Sequence, residues 1–280
     1  MGINLKILFI LFYANAVFAQ CSDAGACIIG SKELTHEHQI NLSYILGKSG
    51  KEDDLTFNTV QLEANIQLLN NSKLSLFLPW SHISGPLGNV SGPGDFILLW
   101  NQTVWLNGSS MLNILAGGKF ASGSSNEKNL PQAYQPGLGT NDLLLGISYE
   151  TDPWLFAIGY QLSRGRSDNA LTKLKRGDDF LTRIGYKIQA DIFKFGLEVL
   201  TIKRLQESSV LDSASSIDEA YITIPGSDQF QMNILGRIYL PVHNNYGIQT
   251  IIAIPLLKRD INVDGLKRSF SFSIGVQFLF

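Results

Sequence analysis

The end of the chain constrains the fold more than any other part. Phe270, Phe272, Ile274, Val276, Phe278 and Phe280 share one parity, while Ser269, Ser271, Ser273, Gly275 and Gln277 share the other. Successive side chains of a strand point to opposite faces, so this segment is a strand with one bulky apolar face and one small, polar face. Lipid suits the first face and a crowded lumen suits the second. A soluble sandwich would bury the phenylalanines instead, and this strand alone does not separate the two architectures.

The pattern recurs along the chain. Leu143, Leu145, Ile147 and Tyr149 oppose Asp142, Gly146 and Ser148; Trp154, Phe156, Ile158 and Tyr160 oppose Ala157, Gly159 and Gln161. The alternation predicts strands over 36–47, 55–69, 73–80, 95–106, 111–121, 140–151, 153–163, 178–189, 191–205, 228–241, 246–257 and 267–280. Short connections alternate with long ones (48–54, 81–94, 122–139, 164–177, 206–227, 258–266). Short turns at one end and long loops at the other organise outer-membrane barrels, whereas a Greek-key sandwich has no reason to alternate in this way. The expected fold is therefore all-β, a transmembrane antiparallel up-and-down barrel of about twelve strands. Trp80, Trp105, Tyr149 and Trp154 lie at strand ends, as interfacial aromatic girdles require.

Composition agrees. Only 16% of residues are charged and 45% are hydrophobic, with 26 glycines; an ordinary soluble domain carries about 25% charge. Beyond the first twenty residues no apolar run approaches the ~18–20 residues of a spanning helix. A net charge of −2 gives no reason to expect nucleic acid as a partner.

The start of the chain reads as processing rather than fold. Lys6, the apolar stretch 7–13 and Val17-Phe18-Ala19 make a secretory signal over 1–19. A short periplasmic segment over 20–35 follows, with the barrel occupying 36–280. Cys21 and Cys27 are expected to close a local disulfide in an oxidising compartment. The protein would then be integral to the cell outer membrane, with outer-membrane lipid around it and both its N-terminal segment and its C-terminus in the periplasm. A strand ending in an aromatic, here Phe280, is the kind of signal the barrel-assembly machinery reads.

Leu78-Pro79-Trp80 ends one strand, and Gly92-Pro93-Gly94-Asp95 opens the next. Gln135-Pro136-Gly137-Leu138-Gly139-Thr140-Asn141-Asp142 and Arg176-Gly177-Asp178-Asp179 have a similar cast. These short motifs resemble outer-membrane proteins of the MetA-like pathway of phenol degradation, over most of the barrel. The resemblance implies a barrel that passes small, often apolar molecules, and it brings no catalytic residues.

Barrels of eight strands are filled by their own side chains, and those of sixteen to eighteen are open. Twelve lies between, so a narrow pore or an internal cavity is expected. The candidate lumen-lining residues are Glu63, Arg183, Lys187, Glu198 and Arg237. Their mixed signs fit either a polar constriction that screens solutes or, more simply, a charge-paired network that stiffens the lumen. Arg183 and Glu198 fall on neighbouring strands and can pair. The leading function is a passive channel for small solutes. A structural or adhesive barrel acting through loops 122–139 and 206–227 is the alternative. A hydrolase built on Ser167 is a weak third, because no histidine lies in that stretch, and no catalytic residue, metal or cofactor is assigned. Asp178-Asp179, Asp53-Asp54 and Asp218-Glu219 read as solvated loop charge, with calcium as the lesser alternative.

Overall fold

A computed structural model describes residues 28–29, 38–190, 192–217 and 219–280. The signal segment and the Cys21–Cys27 pair lie outside the described residues.

The strands are β1 (Gln39–Lys48), β2 (Thr56–Leu69), β3 (Ser72–Gly85), β4 (Gly88–Pro93), β5 (Phe96–Asn107), β6 (Ser110–Phe120), β7 (Asn141–Thr151) and β8 (Trp154–Arg164). They continue as β9 (Asp179–Gln189), β10 (Lys194–Arg204), β11 (Ser209–Leu211), β12 (Tyr221–Thr223), β13 (Phe230–His243), β14 (Tyr246–Leu257) and β15 (Phe270–Leu279). Each long strand pairs antiparallel with its neighbours. The sheet closes where β1 meets β15, from Gln39 opposite Leu279 to Lys48 opposite Phe270. The result is a closed antiparallel barrel of twelve strands. Closure leaves no open edge in the twelve-stranded wall, the condition under which a sheet can cross lipid; β4, outside the wall, keeps one.

Two features depart from the sequence reading. Residues 81–94, expected as a loop, continue β3 upward and return as β4, paired from Trp80 opposite Pro93 to Gly85 opposite Gly88. β5 takes over against β3 only below this, from Phe77 opposite Ile97 downward. The small β11–β12 hairpin stands within the long 205–229 connection.

Facing follows parity around the wall. Leu143, Leu145, Ile147, Phe156, Ile158, Ile184, Ile252 and Ile274 are exposed on the outside, at 39–50% of their area. A continuous exposed apolar belt of this kind marks a surface meant for a non-aqueous neighbour. Toward the short turns the belt ends in aromatics: Trp105 stacks on Tyr149 (6.4 Å), Trp154 meets Tyr186 edge-on (4.8 Å), and Tyr246 packs by Phe278 (6.3 Å).

Candidate functional site: the barrel lumen

The inward face is tiered. Toward the turn end stand the charges expected from the sequence. Arg183 on β9 bonds Glu198 on β10 at 2.7 Å, Arg237 on β13 approaches the same carboxylate at 3.5 Å, and Lys187 bonds Glu150 at 2.7 Å. Glu63 sits apart on β2, 3% exposed, where Asn65 and Asn41 donate to it at 2.6 and 3.4 Å. Lys187, Lys194, Glu198, Arg237, Tyr239 and Gln277 line a cavity of about 560 Å³ in this half. Mixed charges held in pairs can order polar groups and water along a passage without strongly favouring one sign of solute.

The middle tier is apolar. Phe77, Ile97, Leu99, Leu115, Leu144, Leu181, Leu200, Ile202, Leu235 and Ala253 point inward and pack as one cluster with Ile29. Ile29 precedes β1 and belongs to no wall strand, yet it is 1% exposed. It rests where Gly146 of β7 lies opposite Gly159 of β8. A Cβ at Gly146 would fall 2.4 Å from Ile29 Cγ2, and one at Gly159 2.6 Å from Ile29 Cδ1. The two glycines thus form a side-chain-free seat, and an isoleucine from outside the wall fills it.

The third tier closes the long-loop end. Lys119 bonds Asp142 (3.0 Å) and Asp95 (3.5 Å), and Arg176 bonds Asp179 (2.8 Å), Asp264 (3.3 Å) and Asp142 (3.4 Å). Arg204 joins Asp179 (3.1 Å) to Asp264 (2.8 Å), and Arg259 leans on Asp179 at 3.4 Å. None of these side chains exceeds 4% exposure. Burial alone would raise the Asp264 carboxyl, but Arg204, Arg176 and Arg259 outweigh it and hold the group well below the usual carboxylate range. Asp95 further accepts from the backbone N–H groups of Gly123, Leu138 and Gly139 at 3.0, 2.8 and 3.2 Å, pinning loop 121–140 over the mouth.

This tier corrects the reading of Asp179 as solvated or calcium-binding charge, because its carboxylate is buried among arginines. Asp178 accepts from Tyr160 (2.8 Å) and from the Ser163 N–H (2.9 Å). Asp53 lies 3.6 Å from Lys267 and Glu219 2.6 Å from Lys173; Asp218 lies outside the described residues. Ser167 is 3% exposed and its Oγ accepts from the Leu174 N–H at 3.0 Å, a turn contact rather than a nucleophile's setting.

Comparison with known proteins places the fold. No protein-family model and no curated protein sequence matches the chain. Among solved structures, a COG4313 outer-membrane channel from Pseudomonas putida F1 is similar over 89% of this chain and 97% of its own, at 15% identity and a TM-score of 0.68. A KdgM porin in complex with disordered oligogalacturonate is similar over 86% and 99%, at 12% identity and a TM-score of 0.51. At these identities the likeness is one of fold: the chain is a β-barrel of the outer-membrane class.

Proposed function

We propose that the protein is an integral outer-membrane channel for the passive passage of small solutes, apolar and aromatic ones included. The observation that carries this reading is the seat of Ile29. A barrel built only as a solid post would fill its mid-lumen from its own strands. Here Gly146 and Gly159 leave the space open, and a residue from the preceding segment occupies it. A filler that is not part of the wall can leave without unfolding it. The lumen offers an apolar middle tier beside a charge-paired polar one, the surfaces a small amphipathic or aromatic solute needs in sequence. The similar barrels, an outer-membrane channel and a porin, support the same class of activity. The turn end, where β1 begins and β15 ends, faces the periplasm in this reading.

Swelling of proteoliposomes in a series of small solutes tests it. Rates that vary with solute size and polarity are expected, and vesicles no more permeable than protein-free ones contradict it. One observation favours the surface-adhesion alternative: the β11–β12 hairpin exposes Ile217 (72%) in its connection and Ile222 (48%) on β12. Loop 122–139 is buried at Gln132, Tyr134 and Gln135 but exposed over 126–129, so it too offers a surface in that reading. Deleting 206–227 would abolish adhesion and leave flux unchanged.

A further inference from the structure

Sequence spacing pairs no histidine with a serine, but the β3–β4 hairpin does. His82 lies directly opposite Ser91, and its Nδ1 is 2.6 Å from Ser91 Oγ. Both residues are exposed. They stand on the outer face of the wall, since Ser81 and Ile83 on either side of His82 are buried. The tier beneath them, Val60 and Trp80, belongs to the exposed apolar belt. The pair therefore sits at the first polar level above the lipid-facing band.

Backbone geometry adds to the pair. The carbonyl of Pro93 accepts from the Ser124 N–H (2.8 Å) and that of Asn89 from Lys128 Nζ (2.7 Å), both on the edge of β4 away from β3. Strand backbone groups alternate in direction, so Ser91 turns its own N–H to that same free edge. His82 and Ser91 thus form a non-hydrogen-bonded pair, the kind that brings side chains closest. Lys128 Nζ, also 3.1 Å from Asn89 Oδ1, places a cation one step along this edge. On the other side, Asn58 is the cross-strand neighbour of His82, and its Oδ1 accepts from Tyr44 Oη at 2.6 Å. Asn58 thus leans toward β1, on the side away from the His82–Ser91 contact.

We infer that Ser91 and His82 form a nucleophile–base pair that cleaves carboxylic esters of long acyl chains at the membrane surface. His82 Nδ1 takes the Ser91 proton as Oγ attacks the ester carbonyl carbon. The Ser91 N–H and the Lys128 ammonium face the oxyanion. The carbonyl-to-alkoxy bond then breaks, His82 returns the proton to the departing alcohol, and the acyl group stays on Ser91. Water, deprotonated by His82, attacks the acyl carbon and releases the carboxylic acid with Ser91 restored. The acyl chain lies along Trp80 and Val60, where the apolar wall begins.

The test uses the full chain in phospholipid vesicles, with an alkyl fluorophosphonate as the covalent probe and a 4-nitrophenyl acyl ester as the turnover probe. An adduct mapped to Ser91 is expected, together with its loss in Ser91→Ala. Turnover should fall at least about 100-fold in His82→Gln, the lower end of what a general base contributes. Heat-modifiable migration and solute flux should stay at wild-type values in these variants, since none touches the lumen. Absence of a Ser91 adduct on the folded barrel, or turnover that survives Ser91→Ala, overturns the assignment.

Discussion

Replacing Ile29 with alanine should open the channel. The side chain is 1% exposed and wedged on the Gly146–Gly159 seat. Truncating a buried isoleucine to alanine costs about 2–5 kcal/mol. The wall on either side is a closed hydrogen-bonded ladder, so the loss falls on the seating of the segment rather than on the barrel. If that contact holds the segment in place, the population with the seat vacant rises roughly 30-fold to a few thousandfold. Single-channel recording in planar bilayers reads this directly, as longer open dwell times and a higher mean conductance. Gly146→Ala supplies a partner perturbation that leaves Ile29 intact. The added Cβ would stand 2.4 Å from Ile29 Cγ2 and 3.3 Å from the Ile158 carbonyl oxygen, so the isoleucine must move. Both variants should shift conductance in the same direction. Wild-type conductance in both would refute the idea that Ile29 is what closes the middle tier.

Other parts of the molecule give independent tests. Asp264→Ala leaves Arg204 and Arg176 short of a buried counter-ion, and removing one partner of such a pair costs about 3–5 kcal/mol; the loop end should become protease-sensitive while the strands persist. The Asp264 carboxyl is held below its ordinary value when folded. Its contribution is therefore complete above the unfolded value of about 3.9 and is lost as pH falls further, so loop-end protection measured against pH should survive mild acid and fail only below that range. Ile158→Arg on the outer face, where the native residue is 50% exposed, should destabilise the folded barrel in lipid by about 2–4 kcal/mol if it lies near the midplane, read by denaturant titration in vesicles.

The wall was legible in the sequence because parity is a local property. Once Leu143, Leu145 and Ile147 are assigned to lipid, Asp142, Gly146 and Ser148 must face inward, and the same rule placed Arg183 beside Glu198. The middle tier was harder to see. Leu144 sits inside a continuous apolar run, Leu143-Leu144-Leu145, and Leu181 and Leu200 directly follow the apolar residues Phe180 and Val199, so an inward leucine is indistinguishable from its outward neighbours. The ion cluster at the loop end draws Lys119, Arg176, Arg204 and Arg259 from separate strands and loops. No spacing along the chain records that they meet, and buried charge looks like solvated charge until its partners are known. The β3–β4 hairpin was hidden by its own punctuation: Gly85, Gly88 and Gly92-Pro93-Gly94 read as loop residues, yet here they turn and end a ladder. The His82–Ser91 pair was hidden with it.

The account rests on the lumen conducting when the Ile29 segment leaves it, and one engineered cross-link tests that. An ideal Cβ on Gly146 lies 3.7 Å from Ile29 Cβ, within the range a disulfide spans. In a chain with Cys21 and Cys27 replaced, Ile29→Cys with Gly146→Cys can lock the segment in its seat. Solute flux into proteoliposomes is then measured in the oxidised state and again after reduction of the same vesicles. The account predicts flux that is abolished when locked and restored on reduction. Equal flux in both states, or none in either, would contradict it.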